Sequence, residues 1–92
     1  MDDMPKWTAH PNATPQGRAW GKTLWERRKF LGITQTQAAA LIGTSQVNYN
    51  RWERGVAVPR QEWQTAILYG LRFTDADRDR LAERLLPVRG VA

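Results

Sequence analysis

The chain contains no cysteine, and its single histidine, His10, stands in a proline-rich stretch. Without thiols there is no disulfide framework and no thiolate metal site. A lone imidazole offers neither a metal-ligand set nor the histidine-based acid–base chemistry of many active sites. No glycine-rich phosphate loop is present, and Ser45 has no general base near it in sequence. No apolar run approaches the ~20 residues of a membrane span. The opening "MDDMPKW" is acidic, unlike a signal peptide. The expectation is a cytoplasmic protein that is not an enzyme and uses no metal or cofactor.

What is present is positive charge, unevenly placed. The 92 residues suit one small domain with a core of its own, and the formal net charge is +5. Residues 1–60 hold nine Lys or Arg against four Asp or Glu, whereas residues 61–92 hold five of each sign. A basic face gains affinity for a polyanion by releasing counterions condensed on phosphate. Many of these side chains would equally serve as a solvated face.

Residues 1–17 carry Pro5, Pro11 and Pro15 without sustained periodicity and read as a flexible or loosely packed arm. From Ala19 to Leu31, Trp20, Leu24 and Leu31 fall at helical spacing with Arg28 on the same stripe, and Gly32 ends the helix. Thr34 caps a second helix, Gln37 completes a capping box, and Ala38, Ala39, Leu41 and Ile42 run to Gly43. Ser45 caps a third helix that ends before Gly55. Pro59 is expected near the first turn of a fourth helix, with Trp63, Ala66 and Ile67 inward. Thr74, Asp75 and Asp77 signal a fifth, with Leu81, Leu85 and Leu86 on one side. The fold class is all-α: five helices, with the main domain at 18–73 and residues 74–92 completing the core or making a dimer contact.

The third helix, "QVNYNRWER", is unlike on its two sides. At 100° per residue Tyr49 and Trp52 lie within about 60° of each other, with Glu53 at their margin. Val47, Asn50, Arg51 and Arg54 lie opposite, and Gln46 projects from the N-terminal tip. Buried rings would hold such a helix by its back while amides and guanidiniums point outward. The DNA major groove admits an α-helix, Gln and Asn pair with adenine, Arg with guanine, and a small apolar group meets the thymine methyl. Gln46, Val47, Asn50 and Arg51 supply all three kinds. Arg54, Arg60, Lys22 and Arg18 are candidates for phosphate. Arg27 and Lys29 read as plain surface. Trp20, Trp25, Trp52 and Trp63 read as core or interface, and Trp7 either pins the arm or recruits a partner.

Residues 24–69 resemble the helix-turn-helix domain of the lambda-repressor and Cro-type family, the XRE-like regulators. The likeness rests on an Arg in helix 1, "GITQ" opening helix 2, "AA" within it, "GTS" at the turn and "WERG" ending helix 3. It implies that Gln35 bonds a DNA phosphate and braces Gln46. It also implies that Gln46, Val47, Asn48 and Arg51 meet base edges, with Asn50 at the periphery. Arg28 and Glu53 fall where the family often has a buried ion pair, a scaffolding role. "VAV" before Pro59 lacks the basic residues many relatives carry there, which Arg54 and Arg60 would offset. The implied function is a sequence-specific regulator of transcription from a bacterium or phage, a repressor acting in the nucleoid. It would bind a palindromic double-stranded operator as a homodimer, with half-sites about 34 Å apart. The rival is a protein-interaction module on the same scaffold, an antitoxin or transcription-machinery adaptor working through Trp7, Trp20, Trp25 and the C-terminal leucines.

Overall fold

The computed structural model describes residues 7–77, and among these it contains four α-helices and no strand. They are α1 (Pro15–Leu31), α2 (Gln35–Ile42), α3 (Gln46–Glu53) and α4 (Gln61–Gly70). The all-α class holds. Beyond α4, Thr74 and Asp77 cap each other reciprocally at 3.1 Å, and residues 75–77 are helical. Leu81, Leu85 and Leu86 lie outside the described residues.

Local side-chain chemistry sets three of the four helix starts. Thr34 Oγ1 accepts from the Gln37 N–H at 3.1 Å while Gln37 Oε1 accepts from the Thr34 N–H at 2.9 Å, closing the expected capping box. Ser45 Oγ accepts from the Asn48 N–H at 3.1 Å and opens α3. Between them Gly43 adopts φ 94°, a left-handed conformation that side chains disfavour, and this makes the tight turn. Two boundaries differ from expectation. Helix α1 starts at Pro15 rather than Ala19, because Thr14 accepts from the Gly17 N–H at 3.0 Å and proline suits the first helical position. The stretch before the first helix therefore ends at residue 14. Helix α4 starts after Arg60, so Pro59 lies outside it, buried, with its carbonyl receiving Gln64 Nε2 at 2.9 Å.

Trp20 and Leu24 of α1, Ala38, Ala39 and Ile42 of α2, Tyr49 and Trp52 of α3, and Ile67 and Leu71 form the core. Burying each large aliphatic side chain here stabilises the fold by roughly 1.5–3 kcal/mol. The Trp52 and Trp63 rings sit 5.7 Å apart, tilted, although Trp63 and Ala66 are only half-buried. Leu41 stays exposed.

Helix α1 meets the end of α3 through glycine. A Cβ on Gly21 would stand 2.5 Å from the Glu53 carbonyl oxygen, and one on Gly17 would collide with the Gly55 carbonyl. The two glycines are four apart and face the same way, so the backbones touch directly.

Arg27 is no plain surface residue. Its Nε donates to the Leu71 carbonyl at 2.8 Å and its Nη2 to the Arg72 carbonyl at 2.6 Å. Its guanidinium also lies 5.1 Å from the ring centres of both Phe30 and Phe73. Arg72 there takes φ 61°, so Arg27 binds carbonyls at a strained left-handed turn.

Candidate nucleic-acid interface

The faces of α3 are as unlike as its sequence. Tyr49 and Trp52 are 0% and 3% exposed, whereas Val47 is 73% exposed and Gln46 and Arg51 are open to solvent. The turn leaves three chemically different side chains facing outward from a helix anchored by two rings. Asn48 and Asn50 are half-buried and already engaged. Asn48 Nδ2 donates to Thr44 Oγ1 at 2.9 Å, and Asn50 Nδ2 donates to Gln35 Oε1 at 3.2 Å. One N–H of each amide thus braces the helix-turn-helix.

Glu53 is the electrostatic centre of this scaffold, 4% exposed. Arg28 Nε reaches Oε2 and Arg28 Nη2 reaches Oε1, each at 2.8 Å. Gln35 Nε2 reaches Oε1 and the Tyr49 hydroxyl donates to Oε2, again at 2.8 Å. Each carboxylate oxygen thus accepts two bonds, which fills its lone-pair positions. Burial pushes the Glu53 carboxyl up, but the bonds from Arg28, Gln35 and Tyr49 together outweigh it and hold it below the ordinary value. Burial and the neighbouring carboxylate push the Tyr49 phenol up, so it remains a donor. The bond to Glu53 raises Arg28 against the opposing effect of desolvation.

The brace from Gln35 to Gln46 implied by resemblance is not formed. The Gln35 amide joins Glu53 to Asn50, and no hydrogen bond links it to Gln46 among the described residues. The polar pull of a buried carboxylate exceeds that of an exposed amide, which accounts for the choice. Lys29, Thr34, Gln35, Thr36 and Gln46 still line one open groove of about 500 Å³ between the end of α1 and the starts of α2 and α3.

The carbonyl end of α3 is fully accounted for. Asn50, Arg51 and Trp52 carbonyls accept from the N–H groups of Arg54, Val56 and Gly55 at 2.9, 3.0 and 3.0 Å. The Glu53 carbonyl accepts Trp7 Nε1 at 2.8 Å, and the Arg54 carbonyl accepts the His10 N–H at 2.9 Å. The stretch before α1 therefore lies along the end of α3, and Trp7 is spent on that contact.

The cations proposed for phosphate are dispersed. Arg54 and Arg60 are exposed at the end of α3 and the start of α4, and Arg60 makes no capping bond with its side chain. Arg18 and Lys22 are exposed on α1, where Arg18 Nε points to the Ala13 carbonyl at 3.5 Å and Lys22 lies 4.0 Å from Glu26. Sequence reasoning missed Arg27, Gly17 and Gly21. Glycines spaced by four within a helix were the available signal for the last two.

A pair of short helices joined by a Gly-Thr-Ser bend, the second with a buried back and a polar front, defines a helix-turn-helix scaffold. The family model described as helix-turn-helix domain matches residues 19–81, and the chain belongs to that family. Among solved structures, the clp gene regulator ClgR from C. glutamicum is similar in fold, with a TM-score of 0.64 at 22% identity. The likeness covers 80% of this chain and 96% of that one. No curated protein matches the chain in sequence.

Proposed function

We propose that this protein is a sequence-specific double-stranded DNA-binding regulator of transcription, a repressor of bacterial or phage origin acting in the cytoplasm. Helix α3 enters the major groove. Gln46, Val47 and Arg51 read base edges, with the free carbonyl oxygens of the Asn48 and Asn50 amides at the margin. The groove holding Lys29, Thr34, Gln35 and Gln46 at the start of α2 receives a phosphate, aided by the helix N-terminus. Arg54, Arg60, Lys22 and Arg18 add contacts to the backbone. Two copies occupy a palindromic operator about one helical turn apart and obstruct polymerase.

The observation that carries this reading is the exposure of Gln46, Val47 and Arg51 on a helix whose rings are buried behind them. The protein-interaction alternative loses part of its surface: Trp20 is in the core and Trp7 is bonded to Glu53. Selection of duplexes from a random pool, followed by titration of affinity against salt, tests the proposal. A single enriched sequence and a steep fall in log affinity with log salt are expected. Indifference to duplexes in dilute buffer would refute it.

A further inference from the structure

Two segments meet at the carbonyl end of α3. Helix α1 approaches it with the bare backbones of Gly17 and Gly21. Residues 7–14 join them there: a Cβ on Gly21 would meet both Glu53 O at 2.5 Å and Trp7 Cζ2 at 2.9 Å. Ala13 Cβ would stand 2.9 Å from a Cβ on Gly55. Two hydrogen bonds from this strap land on consecutive carbonyls, those of Glu53 and Arg54.

A strap built only to enlarge the core would bury apolar surface against core side chains. Trp7 instead is half-buried and spends its indole N–H on backbone at the end of the helix that carries Arg51. The bonds from Gly55 and Val56 terminate α3 locally, and Arg28 ties the Glu53 side chain to α1, whereas the strap takes up the Glu53 and Arg54 carbonyls beyond them. Helix α3 has eight residues, and the strap grips the chain two and three residues beyond Arg51. Recognition groups must be held to about 0.5 Å to favour one base pattern over another.

We propose that residues 7–14 position the recognition helix, with Trp7 as the positioning residue, and so set how sharply the protein discriminates between DNA sequences. This rests on the DNA-binding reading above. The strap fixes the end of α3, and through it the stance of Arg51 in the groove.

The test compares full-length wild type, Trp7→Phe and Trp7→Ala. Each is measured on the duplex selected by wild type, on a duplex with one substituted base pair, and on a random duplex. Ile67→Val, a core change away from the strap, controls for lost stability, and binding is read where every variant is fully folded. Trp7→Phe is expected to lower the selected-to-substituted affinity ratio roughly tenfold, the scale of one lost hydrogen bond, with little change on the random duplex. Ile67→Val lowers the melting temperature and leaves the ratio intact. Amide exchange gives a readout without DNA: the His10 N–H is protected in wild type and exposed in Trp7→Ala or, should that variant not fold, in Trp7→Phe. An unchanged ratio in Trp7→Phe, an equal loss on all three duplexes, or a freely exchanging His10 amide in folded wild type overturns the proposal. A wild type that selects no sequence removes the DNA reading and the proposal with it, while His10 protection would still report a docked strap.

Discussion

Arg28 of α1 and Glu53 of α3 meet as a fork on a fork, guanidinium Nε and Nη2 each 2.8 Å from a carboxylate oxygen. The pair fastens α1 to α3, and Gln35 of α2 joins the same carboxylate. Because the site is buried, removing one partner strands the other's charge. Arg28→Ala is expected to cost about 3–5 kcal/mol in urea unfolding. Arg28→Lys should recover only part of this, since a point charge cannot span both oxygens. A loss under about 1 kcal/mol for Arg28→Ala would mean that the pair contributes little.

Acid should act on the same group. Glu53 is held below its ordinary value of 4.5, so the folded state binds its proton less readily than the unfolded chain. Its contribution is therefore fully present above pH 4.5 and fades as pH falls from there through the lower folded value. Other carboxylates titrate nearby, so the readout is a difference. Wild type is expected to lose more stability than Glu53→Gln on acidification, although Glu53→Gln is the weaker protein at neutral pH. Parallel pH profiles would contradict the lowered value.

Arg27 clamps α1 to the turn after α4. Its two carbonyl bonds and its contact with Phe30 and Phe73 all end where Arg72 takes a left-handed φ. Arg27→Ala is expected to destabilise by about 1.5–3 kcal/mol, the range for hydrogen bonds to charged groups. Thermal unfolding measures it, and amide exchange at Phe73 should rise with it. Arg27→Lys should not restore the clamp, because the planar fork and the stacking are lost. A neutral Arg27→Ala would return the residue to plain surface.

Capping was legible because its chemistry is local. Thr34 with Gln37 and Ser45 with Asn48 act within one turn, so residue spacing reveals them. The inward stance of Tyr49 and Trp52 follows from helical period alone. Pro59 misled because proline suits the position before a cap as well as the first turn. The contacts of Arg27 with Leu71 and of Trp7 with Glu53 span 44 and 46 residues. Nothing in a local window announces such pairs. Asn50 shows a subtler limit: its angle on the helix was readable, but the turn of its amide toward Gln35 depends on the buried charge of Glu53.

Asn50 and Arg51 are neighbours in different surroundings, and DNA binding should separate them. Arg51 is exposed on the outer face, free to make a bidentate pair with one guanine. Arg51→Ala is expected to cost about 1–3 kcal/mol on the selected duplex and to relax preference at one base pair. Asn50 donates to Gln35 at 3.2 Å and so braces α3 against α2. Asn50→Ala should lower stability and weaken binding on every sequence, with a much smaller change in base preference than Arg51→Ala. The phosphate candidates form a third class: Arg54→Ala or Arg60→Ala should weaken all sequences and reduce the slope of log affinity against log salt by about one each. Quantitative binding to a library of single-base variants at two salt concentrations distinguishes the three. Loss of preference in Asn50→Ala with none in Arg51→Ala would exchange their roles, and would mean that α3 lies in the groove on a different edge.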